Sequence, residues 1–226
     1  MGRPLVSHRG IQLIARLRAG RYREARFEKN LLQLLHGDPV SVAARLFGPG
    51  YHLQRKGEHA AAVAHYREVV DILERVSDDY PRLLTGTLLA RISLAHGARL
   101  IKLRQFRAAL PPLKSSVQFC ENGATDCVSS EVFHVMASSL GWLALAQRFT
   151  GQHAEAKTSY DRAIGLWRQL SLFAKSGEVR LACQRALAAT LYGAARNLRS
   201  LGLTQQSDER RSESTTLFRK LRVAKL

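Results

Sequence analysis

The sequence predicts an all-α fold, a right-handed α-solenoid of about five antiparallel helix hairpins, on three observations. A six-residue phrase recurs as G-R-Y-R-E-A from Gly20, G-E-H-A-A-A from Gly57, R-Q-F-R-A-A from Arg104, G-Q-H-A-E-A from Gly151 and G-L-T-Q-Q-S from Gly202. Each copy sets a turn residue first, a ring or Thr third and a small residue sixth, as a tight turn between packed helices requires. Only six prolines interrupt the 226 residues, and Ala, Leu and Arg, which lose little free energy on entering a helix, dominate. Seven places before each phrase stand Leu13, Gly50, Gly97, Ala144 and Ala195, small in every copy but the first, where two helix backbones cross closely.

The elements follow in order as repeats over about 5–37, 39–78, 81–121, 127–173 and 177–222, read as one domain over 1–226. Gly37-Asp38-Pro39 separates the first two, with Asp38 as candidate N-cap and Pro39 at the first helical position. The second helix of repeat two runs from about His59 to Ser77, Tyr80-Pro81 stops it, and a long helix then continues to Leu103. Asn122-Gly123 is expected to break the chain before the stretch Cys127 to Thr150, and Ser176-Gly177 before Glu178 to Leu201. On the second helices, four residues beyond the small one, stand Lys29, Tyr66, Leu113, Tyr160 and Arg211. A further three on come Leu32, Val69, Ser116, Ala163 and Ser214. The phrases stand 37, 47, 47 and 51 residues apart, against about 34 for the common two-helix repeat, so helices or loops are long.

Net charge is +17, and its distribution narrows the choice of partner. No acidic residue occurs over 1–23, 80–120 or 179–207, while those stretches hold seventeen Arg or Lys. Arginine outnumbers lysine 27 to 8, and its planar fork matches carboxylate and phosphate. An anionic partner is therefore expected. No apolar run approaches the roughly 18 residues of a membrane-spanning helix. Cys120, Cys127 and Cys183 form an odd set without C-x-x-C spacing, so they read as core thiols of a reducing compartment, not as disulfides or zinc ligands. The eight histidines assemble no triad and no metal motif, and His59 and His153 fall at the ring position of the phrase. No enzyme, cofactor or metal is expected.

The phrases G-E-H-A-A-A-V-A-H-Y-R-E-V-V from Gly57 and G-Q-H-A-E-A-K-T-S-Y-D-R-A-I from Gly151 resemble the tetratricopeptide repeat, here of an elongated type. The resemblance covers nearly the whole chain. It implies a concave groove lined by the first helix of each pair, with Tyr51, Arg55, Arg91, Lys102, Trp142, Arg148, Tyr192, Arg196 and Arg199 as its partner-binding residues. The clamp by which chaperone-binding members hold a C-terminal carboxylate is not expected, because Tyr51, Ala98 and Leu145 stand where it needs asparagine; Asn197 is one residue off.

These residues lead to a non-enzymatic adaptor or scaffold that binds an acidic segment of a protein partner in a basic groove with interleaved rings. The alternative is an RNA-associated component of a ribosomal or RNA-processing complex, its basic faces on phosphate. A cytoplasmic or other reducing compartment is expected. The Arg-rich N-terminus resembles mitochondrial targeting segments, and the final Ala224-Lys225-Leu226 is a variant of the peroxisomal address.

Overall fold

A computed structural model of the chain describes residues 49–53, 55–76, 82–124 and 130–223. The expectations placed on the first repeat, on Gly37-Asp38-Pro39, on Tyr80-Pro81, on Cys127 and on the two chain ends lie outside the described residues. Beyond a helical stretch at 49–53, seven helices follow. These are α1 (His59–Val76), α2 (Arg82–Lys102), α3 (Phe106–Ala124), α4 (Ser130–Phe149), α5 (His153–Leu172), α6 (Gly177–Ser200) and α7 (Thr204–Val223). No strand occurs among the described residues. The chain divides into two compact units, 1–85 and 86–226.

The recurring phrase is a helix stop and a helix start fused together. Its first residue takes a left-handed backbone in every described copy, with φ of 79° at Gly57, 60° at Arg104, 81° at Gly151 and 74° at Gly202. The second residue then donates its N–H back to the carbonyl five residues upstream: Glu58 to Leu53, Gln105 to Leu100, Gln152 to Gln147 and Leu203 to Leu198, at 2.9–3.0 Å. This is the Schellman closure, which satisfies the last carbonyls of the preceding helix. The same second residue opens the next helix, since its carbonyl accepts from the N–H of Ala62, Ala109, Ala156 and Ser207 respectively. Those sixth-position residues are completely buried or nearly so, which is why they are small. Arg104 fills a position that suits glycine.

The crossing expected seven places upstream is equally regular. A Cβ at Gly50 would lie 2.5 Å from Tyr66 Cε1 and one at Gly97 2.4 Å from Leu113 Cγ, so only glycine admits the facing side chain. Ala144 and Ala195 are buried at the equivalent places, and Tyr66, Leu113 and Tyr160 are buried on the second helices. Three residues on, Val69, Ser116, Ala163 and Ser214 are buried as well. Two of these are hydroxyls satisfied across the hairpin: Ser116 Oγ donates to the Ala90 carbonyl at 2.6 Å and Ser214 Oγ to that of Ala188 at 2.8 Å. Arg211, at the drifting copy, is exposed.

In the second unit each of α3 to α7 packs on its neighbour, and α4 also touches α6. Ion pairs tie helices of successive hairpins: Arg91 (α2) to Glu131 (α4), Glu121 (α3) to Arg162 (α5) at 2.5 Å, Asp161 (α5) to Arg210 (α7) at 3.3 Å and Arg168 (α5) to Glu213 (α7) at 2.7 Å. All are at least partly exposed, so each sets register more than stability.

One local expectation differs. Asn122-Gly123 does not break the chain; α3 runs through it to Ala124. Pro111 and Pro112 sit inside the same helix and remove two backbone donors near its start. The buried flank of Ala109, Leu110, Leu113 and Val117 holds the helix against that loss. The break expected at Ser176-Gly177 is present, and there Ser176 caps α6, accepting from the Val179 N–H at 3.2 Å.

Candidate functional site

The nine residues assigned to the groove separate into three groups. Tyr51 and Arg55 belong to the first unit and are exposed. Arg91 and Arg199 are engaged within the chain, Arg91 by Glu131 and Arg199 by Asp208 at 3.3 Å. Lys102, Trp142, Arg148, Tyr192 and Arg196 remain in the second unit, and among the described residues none of their cations forms an ion pair with a carboxylate.

Two of these cations, Lys102 and Arg148, lie against rings instead. Lys102 Nζ stands 6.0 Å from the centre of the Trp142 ring, joining the end of α2 to the middle of α4. Arg148 Cζ lies 4.5 Å from the ring centre of Phe149, within the range of cation–π attraction. Phe149 in turn stacks on Phe106, the ring of the phrase that follows Lys102, with centroids 4.2 Å apart and planes 14° from parallel. Trp142 and Phe149 are seven residues apart on α4 and thus share a face, so the first turn of α3 and this face of α4 make one ledge of rings and cations. Phe149 is half exposed, an expensive placement for a stacked phenyl ring in the absence of a covering group.

A second feature lies on α5 and α6. Tyr160 is buried, and a Cβ at Gly193 would sit 2.8 Å from its hydroxyl oxygen, so the phenol reaches across to α6 where Gly193 leaves out a side chain. Among the described residues the hydrogen of that hydroxyl has no acceptor, and neither does the buried Nε–H of Arg148. Burial pushes the phenol up to about 12, against the opposing pull of Arg148 and then Arg196. Arg148 acts on the phenol both by its charge and as a side-chain hydrogen-bond donor, so the phenol oxygen has the guanidinium beside it while the phenol hydrogen has no acceptor among the described residues.

The remaining polar candidates have structural roles. Asn197 is completely buried; its Nδ2 donates to the His153 carbonyl at 2.8 Å while its Oδ1 stands 2.9 Å from His153 Nδ1. His134 meets Trp167 edge-on at 5.0 Å, and partial burial, with Arg91 nearby, lowers its pKa. Cys120 and Cys183 are buried free thiols. Burial first, and Glu121 second, push the Cys120 thiol up to about 12. Among the described residues no group of three or more His, Cys, Asp or Glu could hold a metal ion, and no helix is long and apolar enough to cross a membrane.

No family model matches the chain, and no curated protein matches it.

Sequence reasoning missed Phe106 and Phe149 as site residues, although the seven-residue spacing from Trp142 to Phe149 signalled a shared face. It marked Tyr160 by its spacing from the phrase, but no spacing encodes the burial of its hydroxyl.

Proposed function

We propose that the chain is a non-enzymatic adaptor of elongated tetratricopeptide-like type, a solenoid that holds an acidic segment of a protein partner along its basic first helices. The observation that carries this reading is the ledge of Lys102, Trp142, Arg148, Phe149 and Phe106. Cations without carboxylates alternate there with accessible rings. Carboxylates of a partner would meet the cations, and its apolar side chains would cover the rings. The buried free thiols of Cys120 and Cys183 suit a reducing compartment.

Single-stranded RNA is the second reading, since stacked rings beside cations also suit bases and phosphates. Titration of the full chain, read by tryptophan fluorescence, separates the two. An acidic peptide carrying Phe should bind with a shallow salt dependence. A single-stranded oligonucleotide that bound more tightly, with a log–log salt slope of about −0.7 per phosphate contacted, would overturn the adaptor reading in favour of RNA.

A further inference from the structure

We infer that Arg148, Tyr160 and Arg196 form a carboxylate-binding subsite, in which the buried Tyr160 hydroxyl donates to the bound anion between two guanidinium groups. This subsite rests on the adaptor reading and names where one acidic side chain of the partner is held.

A phenol has one hydrogen to give besides an oxygen that can accept from Arg148, and its neighbours Arg148 and Arg196 have only hydrogens to give. Among the described residues the buried Tyr160 hydroxyl hydrogen has no acceptor, and neither does the buried Arg148 Nε–H. Buried polar groups are almost always satisfied, so a convergence of unmatched donors marks a missing acceptor. Among the described residues neither arginine has a carboxylate, whereas Arg91, Arg162, Arg168, Arg199 and Arg210 all do. An anion brings several lone pairs and the opposite charge, and it completes all three groups at once.

Register builds the subsite from both sides. Arg148 lies one turn beyond Ala144, the close-packed crossing residue of α4. Arg196 lies one turn beyond Gly193, whose missing side chain leaves room for the phenol. Arg196 is exposed, and Phe149 extends the site toward the ring ledge. The hydroxyl itself is closed from solvent, so the anion meets it as an arginine side chain with its many rotatable bonds moves aside. Carboxylate is preferred to phosphate because one planar oxyanion matches one hydroxyl and two forks, without the further donors that a phosphate's third oxygen would take.

Tyr160→Phe removes the hydroxyl and keeps the shape. In the free full-length chain it should raise the melting temperature, because an unsatisfied buried group is deleted. It should weaken binding of a short oligoglutamate peptide by about tenfold. Arg196→Gln should weaken the same peptide by a similar factor, and Arg199→Gln, whose arginine is held by Asp208, should not. A lowered melting temperature for Tyr160→Phe would overturn the subsite, since the hydroxyl would then have a partner such as water. Unchanged peptide affinity in both variants would overturn it while leaving the adaptor reading intact. If the wild type ignores the peptide, the adaptor reading fails on its own. The subsite then stands only if succinate raises the melting temperature of the wild type and not of Arg196→Gln. Loss of oligonucleotide binding alone in these variants would assign the site to phosphate and overturn the carboxylate.

Discussion

Asn197 grips His153 at two points, donating from Nδ2 to its backbone carbonyl at 2.8 Å and presenting Oδ1 to its Nδ1 at 2.9 Å. The carbonyl can only accept, which fixes the carboxamide, and Oδ1 therefore requires the proton on Nδ1. The third residue of one phrase is thus locked to the first helix of the next hairpin. Asn197→Ala leaves the His153 carbonyl and Nδ1 unmatched in a buried setting. It should cost about 2 kcal/mol, read as a lower urea midpoint; a midpoint equal to wild type would show that the grip contributes nothing.

Arg104 occupies the left-handed position that three glycines take elsewhere, at φ 60°. Such a conformation costs a side-chain-bearing residue about 1–2 kcal/mol, part of which glycine gives back in chain entropy. Arg104→Gly should stabilise the chain by about 0.5–1 kcal/mol. Gly151→Ala should destabilise it by about 1 kcal/mol. A destabilised Arg104→Gly together with an unaffected or stabilised Gly151→Ala would show that the repeated turn does not govern local stability.

Gly97 and Leu113 are matched in volume across the α2–α3 hairpin. Gly97→Ala drives its methyl into Leu113 and should cost about 1–3 kcal/mol. Leu113→Ala alone should cost about 2–5 kcal/mol through the cavity it leaves. The double substitution should cost less than the sum, because each change relieves the other. Strict additivity in a thermal or urea cycle would contradict direct contact.

Alkaline titration probes the buried acids. The thiol of Cys120 and the phenol of Tyr160 are each held up at about 12 by burial, from ordinary values of 9.0 and 10.0. The unfolded chain releases these protons first, so folding stability from both groups is complete below about pH 9 and lost as pH rises toward 12. Ultraviolet absorbance of ionised tyrosine should show a late-titrating phenol that is missing in Tyr160→Phe. Cys120 and Cys183 should resist iodoacetamide in the native chain, as read by peptide mass, and react on unfolding. Rapid native alkylation of either would contradict their burial.

Much of the fold was legible because turn and crossing positions are set by local chemistry. Glycine at the left-handed stop, a small residue at the helix start and glycine or alanine at the crossing all leave traces at fixed spacing. Arg104 shows the limit, since there the hydrogen-bond closure alone reveals what the residue type hides. The site was less legible because its state depends on residues far along the chain. Arg91 lies in an acid-free stretch, yet its carboxylate comes from Glu131 on another helix. An acid-free segment is not an acid-free surface. The orphaned Tyr160 hydroxyl likewise depends on what Gly193 omits on a helix beyond its own hairpin.

The most direct test of the adaptor account is a charge swap at Lys102 and Arg148, the two cations held against rings. Arg91 is left intact because its reversal would also break the tie to Glu131. The doubly reversed chain, Lys102→Glu with Arg148→Glu, is titrated by anisotropy against labelled Glu/Phe and Lys/Phe peptides, with helicity checked by circular dichroism. The account predicts that affinity for the acidic peptide falls by more than about tenfold and affinity for the basic peptide rises, at unchanged helicity. Retained acidic-peptide binding with no gain for the basic one would contradict it.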